Sequence, residues 1–156
     1  VSRQEKILFL NIIRTYVKLN KRLDPYKFAK KICRNLEIKN FPVNDAIYKK
    51  LNWSQVRKLS KIDLCTIGGH SHSHRILGYL NETKLKNEIL KSCKLLKKNL
   101  GFKIIHYSYP EGFKKSFSSK VINLLKKENI KCCPTALNGF NNERSNPFLL
   151  KRIGID

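Results

Sequence analysis

No methionine occurs anywhere in the 156 residues, the first residue is Val1, and acidic side chains number only 11 against 33 lysines and arginines. The missing methionine is what a fragment, a processed product or a literal reading of a GTG start codon would each produce. The shortage of acid leaves a formal charge of +22. Such a balance suits an acidic or phosphate-bearing partner. Yet the positive charge is spread from Arg3 to Arg152, and the accompanying lysine, asparagine and isoleucine equally resemble the output of an A+T-rich genome. No zinc-finger spacing, no aromatic pair of the RNA-recognition type and no long basic block gathers the charge into a reader of bases, so nucleic acid is not the expected partner.

Cysteine is odd in number and unpatterned. Cys33, Cys65, Cys93, Cys132 and Cys133 form no C-x-x-C, which argues against a complete disulfide framework and against a structural zinc knuckle. Buried free thiols are expected. Cys132 and Cys133 are neighbours, and in a strand their side chains would leave opposite faces, so no metal is expected there. Long apolar runs are also missing. "ILFLNII" is too short and too polar in its flanks for a signal peptide, and no segment is long enough to cross a bilayer.

What remains is a chain that can fold. Its length suits one domain, and 41% apolar residues with Trp53, six tyrosines and eight phenylalanines are too many for disorder. From Ile7 to Leu36 apolar positions recur at helical spacing, in two helices broken at Asp24-Pro25. Phe41-Pro42 and Asn44-Asp45 mark a second loop. Asn52 reads as the N-cap of a short helix from Trp53 to Ser60, with Trp53, Val56 and Leu59 as its apolar stripe.

Beyond it, Leu64 to Ile67 reads as a buried strand opening at Gly68-Gly69. Asn81 caps a helix whose core face is Leu85, Ile89, Cys93, Leu96 and Leu100, closed by Gly101. Ile104 to Tyr109 forms the next strand, stopped by Pro110. Phe117, Val121, Leu124 and Leu125 line another helix, ended near Asn129. Ile130 to Thr135 and Leu149 to Ile155 supply two more strands. This alternation implies βαβ units and a parallel sheet, an α/β fold with its sites at the carboxyl ends of the strands.

"GGHSHSH", from Gly68 to His74, sits at such an end and holds three of the four histidines. One helical turn would aim His70 and His74 the same way, and two imidazoles can share one ion of zinc, nickel, cobalt or iron. His72 would point elsewhere, while Ser71 and Ser73 suit fixing a ring or the turn. A solvated polar loop would carry the same letters. A third ligand is needed, yet no Asp or Glu adjoins the cluster, so spacing alone leaves metal site and polar loop both open.

"LNWSQVRKLSK", "TIGGHSHSHRIL", "NEILKSCKLLKKNLG", "IHYSYPEG" and "CCPTALNGFNN" follow one another in the order and spacing of a known pattern. The stretch from Leu51 to Ile153 resembles the polysaccharide deacetylase, or NodB-homology, family. The resemblance implies a distorted (β/α) barrel and hydrolysis of the acetamide of an N-acetylated sugar with one divalent metal, zinc first, with cobalt or nickel as alternatives. It places His70 and His74 as metal ligands. Ser108, Tyr109, Pro110 and Gly112 become substrate-binding residues, and the Glu111 backbone N–H holds the oxyanion. His106 is expected to be a packing or surface residue. The partner implied is a carbohydrate, and the oligomeric state is open.

The family's first motif, T-F-D-D-G, which supplies the base and the third ligand, is nowhere in the sequence. Asp24, Asp45 and Asp63 lie in unsuitable contexts, and Asp156 after "LLKRIGI" is the only substitute. The expectation is therefore an incomplete barrel whose first strands, with the Asp motif, are missing. Residues 1–51 form a helical segment packing on it or inserted in it, and 52–156 form a partial deacetylase domain. The alternative is an inactive deacetylase-like scaffold binding an anionic glycan or nucleic acid. The family often works in the cell envelope, whereas five thiols and no export signal tilt the expectation slightly toward the cytoplasm.

Overall fold

A computed structural model describes residues 1–39 and 49–154. The loop expected at Phe41-Pro42 and Asn44-Asp45, and the strand end at Ile155 with Asp156, lie outside the described residues. The chain divides into two compact units, Val1–Lys49 and Lys50–Asp156.

The first unit holds α1 (Arg3–Leu19) and α2 (Pro25–Asn35). Each begins where its cap chemistry dictates. The Ser2 hydroxyl accepts the Glu5 N–H while the Glu5 carboxylate accepts the Ser2 N–H, a reciprocal capping box. Asp24 accepts the N–H groups of Tyr26 and Lys27 at 3.0 and 3.1 Å, and Pro25 follows at the first helical position. The rings of Tyr16 and Phe28 meet at 5.8 Å. Neither helix buries a residue fully, and Leu8, Phe9, Ile12 and Leu19 remain more than half exposed.

The second unit carries α3 (Trp53–Leu59), a single 3-10 turn (Leu77–Tyr79), α4 (Glu82–Leu100) and α5 (Ser119–Lys127). Asn52 and Gln55 form a second capping box, Asn81 caps α4 through the Lys84 N–H, and Ser118 caps α5 through Val121. Gly101 ends α4 in the left-handed region at φ 85°. Leu85 and Ile89 of α4, Val121 and Leu125 of α5, Ile104, Tyr107 and Tyr109 between them, and Cys133 after α5 make one core. The faces expected on α4 and α5 are therefore present, with Phe117 packed just before its helix rather than on it, whereas Trp53, Val56 and Leu59 of α3 stand outside this core.

The strands differ from expectation. Three parallel bridges join Gly69 to Tyr107, His106 to Cys132 and Asn138 to Arg152, and among the described residues no longer strand forms around them. The hydrogen bonds still run in sequence: Gly69 N–H to the His106 carbonyl, Ser108 N–H to Gly69, Tyr107 N–H to Cys132 and Lys131 N–H to Ile105. Stretches 66–70, 104–109 and 130–135 thus lie side by side in chain order, with 147–152 continuing beyond through Cys133 N–H to Pro147 and Thr135 N–H to Leu150. The buried strand expected at Leu64–Ile67 is a correction: Leu64 is 99% exposed in a turn, and only Gly69 pairs. Among the described residues this stretch pairs with one neighbour only, and a strand so placed buries its apolar residues poorly.

The pleat sorts the site from the core. Tyr107, Tyr109 and Cys133 turn toward the helices and are buried, while His106, Ser108 and Cys132 turn the other way. The neighbouring cysteines diverge as their adjacency requires, and all five thiols are free.

Candidate metal and acyl-transfer site

The histidine loop follows Gly69 at the carboxyl end of stretch 66–70. His70 and His74 bring their ring centroids to 4.8 Å, edge to face. The Nδ1 of His70 lies 3.0 Å from the Ser108 carbonyl oxygen and 2.8 Å from its Oγ. A carbonyl can only accept, so Nδ1 carries the proton and Nε2 keeps its lone pair. Crowding of the His70 ring by protein lowers its pKa, the Ser108 carbonyl opposes that, and His74 and Arg152 add to the lowering while Glu111 opposes it. The net direction favours a neutral imidazole, the form that binds a metal.

The loop itself is held from outside. Ser71 and His74 both take left-handed backbone angles, φ 59° and 55°, which residues with a Cβ adopt at a cost of about 1–2 kcal/mol each. The Ser71 N–H donates to the Tyr107 hydroxyl at 2.7 Å. The His72 and Ser73 N–H groups donate to one oxygen of Glu88 at 2.9 and 2.8 Å, and the Ser73 hydroxyl donates to the other at 2.6 Å. Burial would raise the Glu88 pKa, but the bonds from Ser73 and His72 outweigh it and hold the carboxyl below its ordinary value.

Glu88 and Tyr107 hold the loop through these bonds, and reading the sequence overlooks both. A signal was present: Glu88 is a carboxylate beside Ile89 on the core edge of a helix otherwise rich in lysine. His72 is exposed.

The expected substrate residues separate. Ser108 lines an open hollow of about 480 Å³ together with His70, His106 and Cys132. Tyr109, Pro110 and Gly112 do not line it. The Tyr109 side chain is 1% exposed, donates its hydroxyl to the Phe148 carbonyl at 3.0 Å and meets the Phe117 ring at 5.0 Å. Only its backbone is left to face a cleft. Pro110 is fully buried, and Glu111 and Gly112 turn the chain with φ 64° and 67°. A Cβ on Gly112 would collide with the backbone of Ala136, whose N–H bonds to the Gly112 carbonyl, so only glycine fits there. His106 is half-buried, as a packing residue would be, but its Nδ1 is buried without a hydrogen-bond partner.

Two imidazoles with converging rings fit part of a first-row metal's coordination shell. Among the described residues, no group of three or more His, Cys, Asp or Glu completes it. Asp24 is occupied in capping α2, and Asp45 and Asp156 lie outside the described residues.

A family model described as polysaccharide deacetylase matches residues 29–133. No curated protein matches the chain. Among solved structures, the fold is similar to the Streptococcus pyogenes deacetylase PplD in complex with acetate, at TM-score 0.62 and 16% identity over 85% of this chain and 73% of that one. It is also similar to the BpsB deacetylase domain from Bordetella bronchiseptica, at TM-score 0.58 and 16% identity over 66% of this chain and 48% of that one. A polysaccharide deacetylase from Bacillus cereus gives 0.56 and 18% over 84% and 43%. The chain thus spans about half, or less, of the latter two.

Proposed function

The chain belongs to the polysaccharide deacetylase family, and from that premise we propose that it forms the histidine half of a metal-dependent N-deacetylase acting on a carbohydrate acetamide. The observation that carries this reading is the pairing of His70 and His74 at 4.8 Å, with His70 fixed through Nδ1 so that Nε2 is left for a metal. A divalent ion held there, zinc first, would supply Lewis acidity and an acidified water. The chain's own residues do the rest. Ser108 fixes the His70 tautomer, and the Glu111 backbone N–H, in the turn it forms with Gly112, meets the oxyanion.

The base is the part this reading assigns elsewhere. No carboxylate among the described residues completes the histidine pair. Among the described residues, stretch 66–70 pairs on one edge only, with 104–109, and a further strand on its other edge would bring a carboxylate beside His70. That strand would also close the barrel over the hollow.

The test has two readings from one preparation. Metal-stripped chain titrated with cobalt should bind about one ion, and either His70→Ala or His74→Ala should abolish most of the affinity. Amine release from an N-acetylated chito-oligosaccharide should stay near background for these 156 residues, even with zinc, cobalt or nickel. Robust turnover lost in Asp156→Asn would move the base to that residue. A chain that binds no cobalt, yet retains an anionic glycan, would replace the enzyme with a binding scaffold.

A further inference from the structure

We propose that Glu88 is a positioning residue for the histidine pair: its carboxylate holds the loop between His70 and His74 in a shape the loop does not favour by itself, and metal affinity depends on that hold. The metal clause rests on the deacetylase reading, whereas the hold rests on the loop's own geometry.

Three consecutive amides, of Ser71, His72 and Ser73, are all taken by side chains from outside the loop. Two of them reach Glu88 directly. The third reaches the Tyr107 hydroxyl, which lies 3.0 Å from Ser92 Oγ. Ser92 donates its own proton to the Ile89 carbonyl at 2.9 Å, so Tyr107 donates to Ser92 and accepts from Ser71. Glu88 and Ser92 stand four residues apart, one turn of α4 and the same face. One helix face therefore anchors the whole loop through two arms.

The hold works against a cost. Left-handed angles at Ser71 and His74 disfavour this shape, and without the anchors the loop would relax toward ordinary angles and carry the His74 ring away from His70. The chemistry of the anchor is also selective. Two N–H donors and one O–H donor converge on Glu88, and an ionised carboxylate is acceptor on both oxygens. Glutamine keeps one acceptor oxygen and turns a donor amide toward the other partner. The expected order of function is thus wild type, then Glu88→Gln, then Glu88→Ala.

The experiment uses the whole chain, stripped of metal, with cobalt as probe and its absorption spectrum and calorimetry as readouts. Glu88→Ala should weaken cobalt binding roughly 10–100-fold, with Glu88→Gln in between. Glu82→Gln, on the exposed side of the same helix, should leave binding unchanged. Amide exchange in the metal-free chain is the second readout: His72 and Ser73 should exchange at least about tenfold faster in Glu88→Ala, while the thermal midpoint and the burial of Cys133 hold. Cobalt affinity equal to wild type in Glu88→Ala overturns the proposal. If the parent chain takes up no cobalt, the deacetylase reading fails, and exchange alone decides: faster exchange at His72 and Ser73 supports the hold, unchanged exchange removes it. Should Glu88→Ala fail to fold, the same comparisons are made with Glu88→Gln.

Discussion

At the scale of single residues, the site depends on one close approach. Gly69 passes so near Tyr107 that a Cβ there would enter the tyrosine ring and press on Ile104. That ring carries the hydroxyl that takes the Ser71 amide, so Gly69→Ala should do two things at once. It should destabilise the chain by about 1–3 kcal/mol in urea unfolding, the cost of overpacking, and it should weaken cobalt binding by displacing the anchor of the loop. A variant that loses stability but keeps affinity would separate packing from positioning. This residue also marks how far sequence reaches. The His70 and His74 pair stood out by a local four-residue spacing, which left metal site and polar loop both open; the structure brings the two rings together. Glu88 did not stand out, because its partners lie 15 and 16 residues away and meet it only when α4 folds back over the loop. The burial of the Tyr109 ring was hidden for a related reason: the motif names a residue, but the pleat decides which side its ring takes.

At the scale of elements, the helices were readable, and the strands were readable in their order but not in how far they pair. Asn52, Asn81 and Asp24 announce their helices through chemistry confined to four residues, and each accepts the amide that its position requires. Asn81→Ala should therefore cost about 1 kcal/mol in chemical unfolding. Ile89→Ala, at a fully buried position on the same helix, should cost about 2–5 kcal/mol. A cap effect as large as the core effect would mean that α4 is held by its end rather than its face. Strands need partners far away in sequence, and Leu64–Ile67 has too few. Its apolar letters were read as burial, yet burial requires a second neighbour and a cover. The same shortage explains why pairing shrinks to isolated bridges between stretches that nonetheless keep parallel order.

At the scale of the whole molecule, like charge works against compactness. Lysines and arginines outnumber acids 33 to 11, and Glu82 answers both Lys86 and Lys120 from a half-exposed surface where ion pairs contribute little. Screening should therefore stabilise: the thermal midpoint should rise as salt increases from about 0.05 to 0.5 M, the range over which the Debye length falls from above 10 Å to below 8 Å. A midpoint that falls with salt would mean that specific pairs outweigh the general repulsion. Alkaline pH offers a sharper probe, because Cys133 is wholly buried and burial pushes its thiol from 9.0 up to about 12. The unfolded chain ionises that thiol near its ordinary value, while the folded chain keeps the proton. Between pH 9 and 12 the folded state thus binds more protons, and its stability must fall as pH rises through that window. Loss of lysine charge over the same range works in the opposite direction, so the comparison is with Cys133→Ala, in which the thiol is absent and every lysine remains. The stability of the parent relative to this variant should decline steadily from pH 9 upward and be flat below it. In the parent at pH 8, a thiol reagent should reach Cys133 only at the rate of global unfolding. Rapid labelling there, under conditions where α4 and α5 remain folded, would show that the helix-covered side of the sheet opens by itself.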